Sequence, residues 1–286
     1  MSASPISLWI IGAGSMGRGL AHVLAENGDH VTLVDVSDER LRLARQAVRR
    51  EHLAGELEGK CDGAFDDLLT RINFVTSLEG VSRADLVIEN ISEQVEGKMS
   101  IHRELASLTA GSNAPILVNS SVVPIGLIAQ VYDSPGRVVG THFMNPPTRR
   151  KGVEVIRQRT DRVPTVAAEV ARTLLARSFR PTVVLDDVGY VINRALMPFV
   201  NEAIGSFSRG CGEAGDIDRL FVDCLGHRAG PLATADLIGL DVVRDSLLVL
   251  AQLTGDSRYI PHPLLEEYIG AGKLGRKSGE GFFSYV

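Results

Sequence analysis

The stretch that most limits what this chain can fold into is Gly12-Ala13-Gly14-Ser15-Met16-Gly17. An apolar run at residues 6–11 leads into it, and residues 18–25 follow with apolar side chains at helical spacing. A second apolar run at residues 30–34 then ends in Asp35. A glycine-rich hexapeptide alone says little. Placed between a strand and a helix, with an acid closing the next strand, it reads as a dinucleotide-binding turn. Gly12 permits the tight turn, Gly14 lets a pyrophosphate approach the backbone, and Gly17 lets the helix pack on the strand. Ser15 and Met16 sit where the helix opens, and its free N–H groups and dipole favour phosphate there. Asp35 is placed to accept hydrogen bonds from the adenosine ribose and to repel a 2′-phosphate. NAD is therefore expected over NADP.

The same alternation continues. Strands are expected at residues 72–75, 85–89, 116–119, 137–142, 153–157 and 181–185, with helices at 38–60, 93–108 and 164–177. After Asp186 the pattern becomes helical, at 190–207, 215–225, 231–250 and 262–271. The expected fold is α/β: an N-terminal Rossmann-type dinucleotide-binding domain at residues 1–186, then an all-helical C-terminal domain at 187–286. A chain of 286 residues suits two such domains. A net charge of −5 gives no electrostatic reason to expect nucleic acid. No apolar run approaches the roughly 20 residues that span a bilayer, and no secretion signal is read. A cytoplasmic protein without a membrane partner is expected. Cys61, Cys211 and Cys224 lack ligand-like spacing, and no metal site is read.

A second constellation lies in residues 139–156. A strand-like entry ends near His142, and a strand-like exit carries Glu154. A loop with two prolines and the cations Arg149, Arg150 and Lys151 lies between them. A histidine and a carboxylate at the two mouths of one loop can meet as an acid/base group and its orienting partner. Ser121 follows the strand at 116–119, and ligands of open parallel sheets sit beyond the carboxyl ends of strands. Ser121 would also serve as an ordinary helix N-cap.

Together these residues resemble the L-3-hydroxyacyl-CoA dehydrogenase family, especially its short bacterial 3-hydroxybutyryl-CoA dehydrogenase members, over essentially the full length. The resemblance rests on Gly12–Gly17, on Ile88-Glu89 with Glu93 and Lys98, and on Asn119–Ser121. It continues in His142 with Asn145-Pro146, in Val153-Glu154, in residues 189–194, in Gly230-Pro231 and in the tail at 277–282. It implies that His142 is the general base and Glu154 its orienter. Ser121 and Asn193 would contact the substrate oxygen, and Glu93, Lys98, Asn145 and Lys277 would contact NAD. It also implies a homodimer formed through the helical domain. The expected reaction is NAD-dependent oxidation of the 3-hydroxyl of a short or polar 3-hydroxyacyl thioester.

The loop departs from the family. Typical members are largely apolar where this chain has Thr148-Arg149-Arg150-Lys151-Gly152. Arginines suit an anionic or strongly polar partner. An acidic acyl carrier protein is therefore a second candidate partner beside CoA, as in family members that oxidise a carrier-bound glyceryl group in polyketide extender-unit pathways. A free hydroxy acid is a third candidate. A non-catalytic NAD-binding redox sensor is the alternative from another class, and it would not need Ser121, His142, Glu154 and Asn193 together.

Overall fold

The computed structural model describes residues 4–59, 65–92, 94–120, 123, 125–157 and 166–285. The chain divides into two compact units, residues 1–186 and 187–286. The first runs β1 (Ser7–Ile11), α1 (Ser15–Glu26), β2 (His30–Val34), α2 (Asp38–Leu57), α3 (Phe65–Leu69), β3 (Ile72–Val75), β4 (Leu86–Glu89) and α4 (Val95–Leu108). It continues with β5 (Ile116–Asn119), α5 (Ile125–Ala129), β6 (Val138–Phe143), β7 (Gly152–Arg157), α6 (Val166–Leu175) and β8 (Arg180–Leu185).

One sheet holds the strands in the order β3-β2-β1-β4-β5-β6-β7-β8. The strands from β3 through β6 pair in parallel. The inner strands are buried on both faces, as helix-covered parallel strands must be; Ile10, Leu33, Ile88 and Leu117 have no exposed surface. Each such side chain contributes about 1.5–3 kcal/mol by burial. Leu20 and Leu24 of α1 pack into the same core. The sheet reverses once, at the antiparallel β6/β7 pair, and β8 then runs parallel to β7. The loop at 144–151 is shorter than the dozen or so residues a parallel crossover needs, so the chain turns straight back.

The second unit is helical: α7 (Ile192–Ser208), α8 (Ala214–Leu225), α9 (Pro231–Ile238), α10 (Leu240–Thr254) and α11 (Pro263–Gly270). Val200, Ile204, Leu232, Leu247 and Leu265 form its core. The single helix expected at 231–250 is two helices. Gly239 takes φ +103 between them, a conformation open to glycine that ends α9. The tail is held by one buried carboxylate. Asp236 accepts from the backbone N–H groups of Phe282 and Phe283 at 3.0 and 2.9 Å, and from the Tyr285 hydroxyl at 3.0 Å. No helix among the described residues is long and apolar enough to cross a membrane.

Candidate active site

The glycine turn separates structural from ligand-directed glycines. A Cβ on Gly12 would come 2.6 Å from the Asn90 carbonyl oxygen, and one on Gly17 would come 1.9 Å from the Gly12 carbonyl oxygen. The fold itself therefore needs both. A Cβ on Gly14 would meet no protein atom within 4 Å, so the space beside Gly14 is a cradle that a side chain would fill. The turn is braced from β2: the Gly12 N–H donates to the Val34 carbonyl at 2.7 Å, and the Ala13 N–H donates to the Asp35 carboxylate at 3.0 Å. Asp35 also accepts from the Ser37 N–H at 3.2 Å.

The two helices that flank β2 begin differently. Ser37 caps α2, and Asp38 and Glu39 stand in its first turn. On α1, Gly14 offers no capping side chain and the first turn, containing Ser15 and Met16, holds no acid. An uncapped positive end beside a side-chain-free cradle fits a pyrophosphate. Asn90 adds to this. It follows β4 against the turn, and both its amide atoms are buried without a hydrogen-bond partner, so its NH2 group can donate and its carbonyl oxygen can accept there. In the sequence Asn90 is marked only as a polar residue where β4 leaves its apolar run. These features fit NAD.

His142 and Glu154 are direct cross-strand partners on the antiparallel β6/β7 pair. Their side chains therefore project to one face, and His142 Nδ1 lies 2.8 Å from a Glu154 carboxylate oxygen. The side chains are only 13% and 7% exposed. A carboxylate accepts hydrogen bonds, so Nδ1 carries the proton in the neutral ring and Nε2 is the basic nitrogen. Asn119, at the end of β5, accepts from the Phe143 N–H at 3.2 Å and ties that strand end to His142's neighbour.

Lys98 has partners other than a cofactor. Its side chain has no exposed surface. Its ammonium donates to both Glu89 carboxylate oxygens at 2.9 and 2.8 Å and to the Asn119 carbonyl at 2.9 Å. All three donors are thus used inside the protein. Lys98 acts on the site by clamping the carboxyl ends of β4 and β5. The network continues through His102, whose Nε2 lies 3.1 Å from Glu89 and whose Nδ1 lies 2.7 Å from the Tyr132 hydroxyl. Burial pushes the Tyr132 phenol well up, so it stays protonated.

The other expected residues fall in several places. Ser121 and Glu93 lie outside the described residues. Asn145 is exposed and precedes a cis bond to Pro146. Pro147 rests on α1, where a Cβ on Gly19 would come 2.7 Å from its ring. Arg149, Arg150 and Lys151 are all exposed. Arg149 donates to Glu58, just past the end of α2, at 3.1 Å, and the Lys151 ammonium stands over the Phe179 ring at 5.5 Å. Asn193 is half-buried in the first turn of α7. The Lys277 ammonium bonds both oxygens of Asp241.

The family model described as "3-hydroxyacyl-CoA dehydrogenase, NAD binding domain" matches residues 7–188. Its companion, "3-hydroxyacyl-CoA dehydrogenase, C-terminal domain", matches residues 189–285. The "Probable 3-hydroxybutyryl-CoA dehydrogenase" of Deinococcus radiodurans is 37% identical over 278 residues, covering 96% of this chain and 99% of the relative. Among solved structures, Mycobacterium tuberculosis FadB2 matches with a TM-score of 0.92 at 31% identity, over 99% of this chain and 100% of its own. The (S)-3-hydroxybutyryl-CoA dehydrogenase PaaH1 of Ralstonia eutropha matches with a TM-score of 0.90 at 32% identity, over 99% of this chain and 100% of its own.

Proposed function

Since the chain belongs to the 3-hydroxyacyl-CoA dehydrogenase family, we propose that it oxidises the 3-hydroxyl of a short 3-hydroxyacyl-CoA, of the 3-hydroxybutyryl type, with His142 as general base. Family membership makes it an NAD-dependent oxidoreductase. NAD, when bound, supplies the hydride acceptor; Gly12, Gly14, Ser15, Met16, Gly17 and Asp35 would hold it.

The observation that carries this reading is the 2.8 Å contact between His142 Nδ1 and Glu154. The contact holds the ring in one tautomer and leaves Nε2 to take the hydroxyl proton as the C–H bond gives up its hydride. The imidazolium so formed is stabilised by the Glu154 charge. In the reverse direction the same nitrogen returns the proton to the reduced oxygen. Ser121 and Asn193 are the residues we assign to the substrate oxygen, and Glu93, Asn145 and Lys277 those we assign to the cofactor, on the family resemblance. The test is NADH formation from 3-hydroxybutyryl-CoA by the wild type and by H142Q. A loss of about 10²–10⁴-fold in turnover with NADH affinity retained is expected; unchanged turnover would refute the mechanism.

A carrier-protein substrate is favoured by one observation. Arg149, Arg150 and Lys151 are exposed, where they suit an acidic protein surface better than an acyl pocket. Matched CoA and carrier-protein thioesters of one acyl group decide between the two, and a clear preference for CoA excludes the carrier. A homodimer through the helical unit is proposed from its exposed apolar side chains, among them Leu220, Leu225, Leu253 and Ile260. Light scattering on the eluting protein tests it.

A further inference from the structure

The helices α1 and α2 carry one spacing twice: His22 and Glu26 on the first, His52 and Glu56 on the second. Residues four apart share a helix face, and α1 packs against α2, so the two pairs face each other. His22 and His52 are 3% and 2% exposed. One ligand atom from each of His22, Glu26 and His52 lies within 4.8 Å of the other two. His22 Nε2 is 2.9 Å, and His52 Nδ1 3.3 Å, from the same Glu26 oxygen. Tetrahedral Zn²⁺ with bonds of about 2.1 Å spaces its ligands about 3.4 Å apart, so small side-chain shifts would admit the ion.

The outer nitrogens strengthen the case. His22 Nδ1 faces a Glu51 oxygen at 3.6 Å, and His52 Nε2 faces a Glu56 oxygen at 3.5 Å. An imidazole with one nitrogen turned to a shared centre and the other toward a carboxylate is the arrangement of metal-bound histidines. His22 is held by its attraction to Glu26 and Glu51 rather than by well-aligned hydrogen bonds. Both its ring nitrogens, and the Glu51 oxygen beside it, are buried without a well-formed hydrogen bond, which is costly for buried polar atoms.

We propose that His22, Glu26 and His52 bind a divalent transition-metal ion, Zn²⁺ by the match of two imidazoles and a carboxylate to its preferred shell. Glu51 and Glu56 orient the two rings, and solvent reaching the 29% exposed Glu26 side chain completes the shell. The ion is structural. It staples α1, which opens at the dinucleotide turn, to the last turns of α2, next to the Glu58 that holds Arg149. Its competitor is a proton. Burial pulls the His22 pKa down, but Glu26 and Glu51 outweigh it and raise it to about 9, so a metal must displace that proton.

The test uses tag-free, chelator-stripped full-length protein titrated with ZnCl₂ by calorimetry, alongside H22Q, H52Q and E56Q, with circular dichroism and NADH binding as checks on folding. One Zn²⁺ per wild-type chain and a melting temperature that rises with Zn²⁺ are expected. H22Q and H52Q should lose binding, and E56Q should weaken it about 10–100-fold. Absence of binding by the wild type, or equal binding by folded H52Q, overturns the proposal. Should H22Q not fold, the Co²⁺ spectrum of the wild type decides. Intense visible bands of four-coordinate cobalt support the site, and only the weak bands of six-coordinate cobalt reject it.

Discussion

His142 and Glu154 face each other as a directly opposed pair across the antiparallel β6/β7 ladder, with Nδ1 2.8 Å from the carboxylate. The sheet register therefore sets which ring nitrogen is basic. An amide at position 154 can donate as well as accept, so it would neither fix the tautomer nor balance the imidazolium. E154Q is expected to lower kcat by about 10²–10⁴-fold while leaving the NADH dissociation constant near wild type. Unchanged kcat in stopped-flow or steady-state assays would remove Glu154 from the mechanism.

Gly14 and Gly17 should separate binding from folding. Gly14 has φ −66 and open space at its Cβ position, so alanine fits the backbone and folding is preserved or slightly favoured. G14A is expected to melt within a few degrees of wild type and to bind NADH at least about tenfold more weakly, because its methyl enters the cradle. G17A places a Cβ against the Gly12 carbonyl and should fall in both melting temperature and NADH affinity. Tight NADH binding by G14A would argue against pyrophosphate at that position.

Lys98 should behave as a structural clamp. K98M strands the Glu89 carboxylate without a cation in a fully buried site, and breaking such a pair costs about 3–5 kcal/mol. Chemical denaturation without cofactor is expected to show this loss. K98M/E89M, which removes both charges, should recover part of it. A K98M protein of wild-type stability with impaired NADH binding would instead make Lys98 a direct cofactor contact.

Acid should loosen the tail. Burial pushes the Asp241 carboxyl up, but the Lys277 ammonium and the Val242 N–H outweigh it and hold it below its ordinary value. A depressed folded value stabilises above the unfolded carboxylate value of about 3.9, and the contribution is lost as pH falls through the folded value. The pair is partly exposed, so its worth is at most about 1 kcal/mol. K277M is expected to raise the Asp241 value, read by carbon NMR of side-chain carboxyls, and to flatten the acid limb of stability. An Asp241 titration unchanged in K277M would show that Lys277 does not hold the carboxylate.

Much of the first unit was legible in the residues. The strands β2, β3 and β5 fall where their apolar runs place them, and the turn at Gly12–Gly17 joins strand to helix as its glycines require. Other features were less legible. Helical periodicity runs through 231–250 without marking the break, because apolar spacing reports which face is buried and not the φ that Gly239 adopts. The family resemblance implies a cofactor contact for Lys98. Only the pairing of β4 with β5 brings Glu89 and the Asn119 carbonyl to one point and encloses the ammonium.

By itself the sequence determined the element types, the dinucleotide turn and the residues available for proton transfer, since these depend on periodicity and on neighbours a few positions away. Tertiary structure alone decided which distant groups meet. It set His142 opposite Glu154 by strand register, sealed Lys98 between two strand ends, and brought His22 to His52 by packing α1 on α2. Those encounters depend on sheet order and helix docking, which many weak burial contacts settle together and which no local spacing encodes.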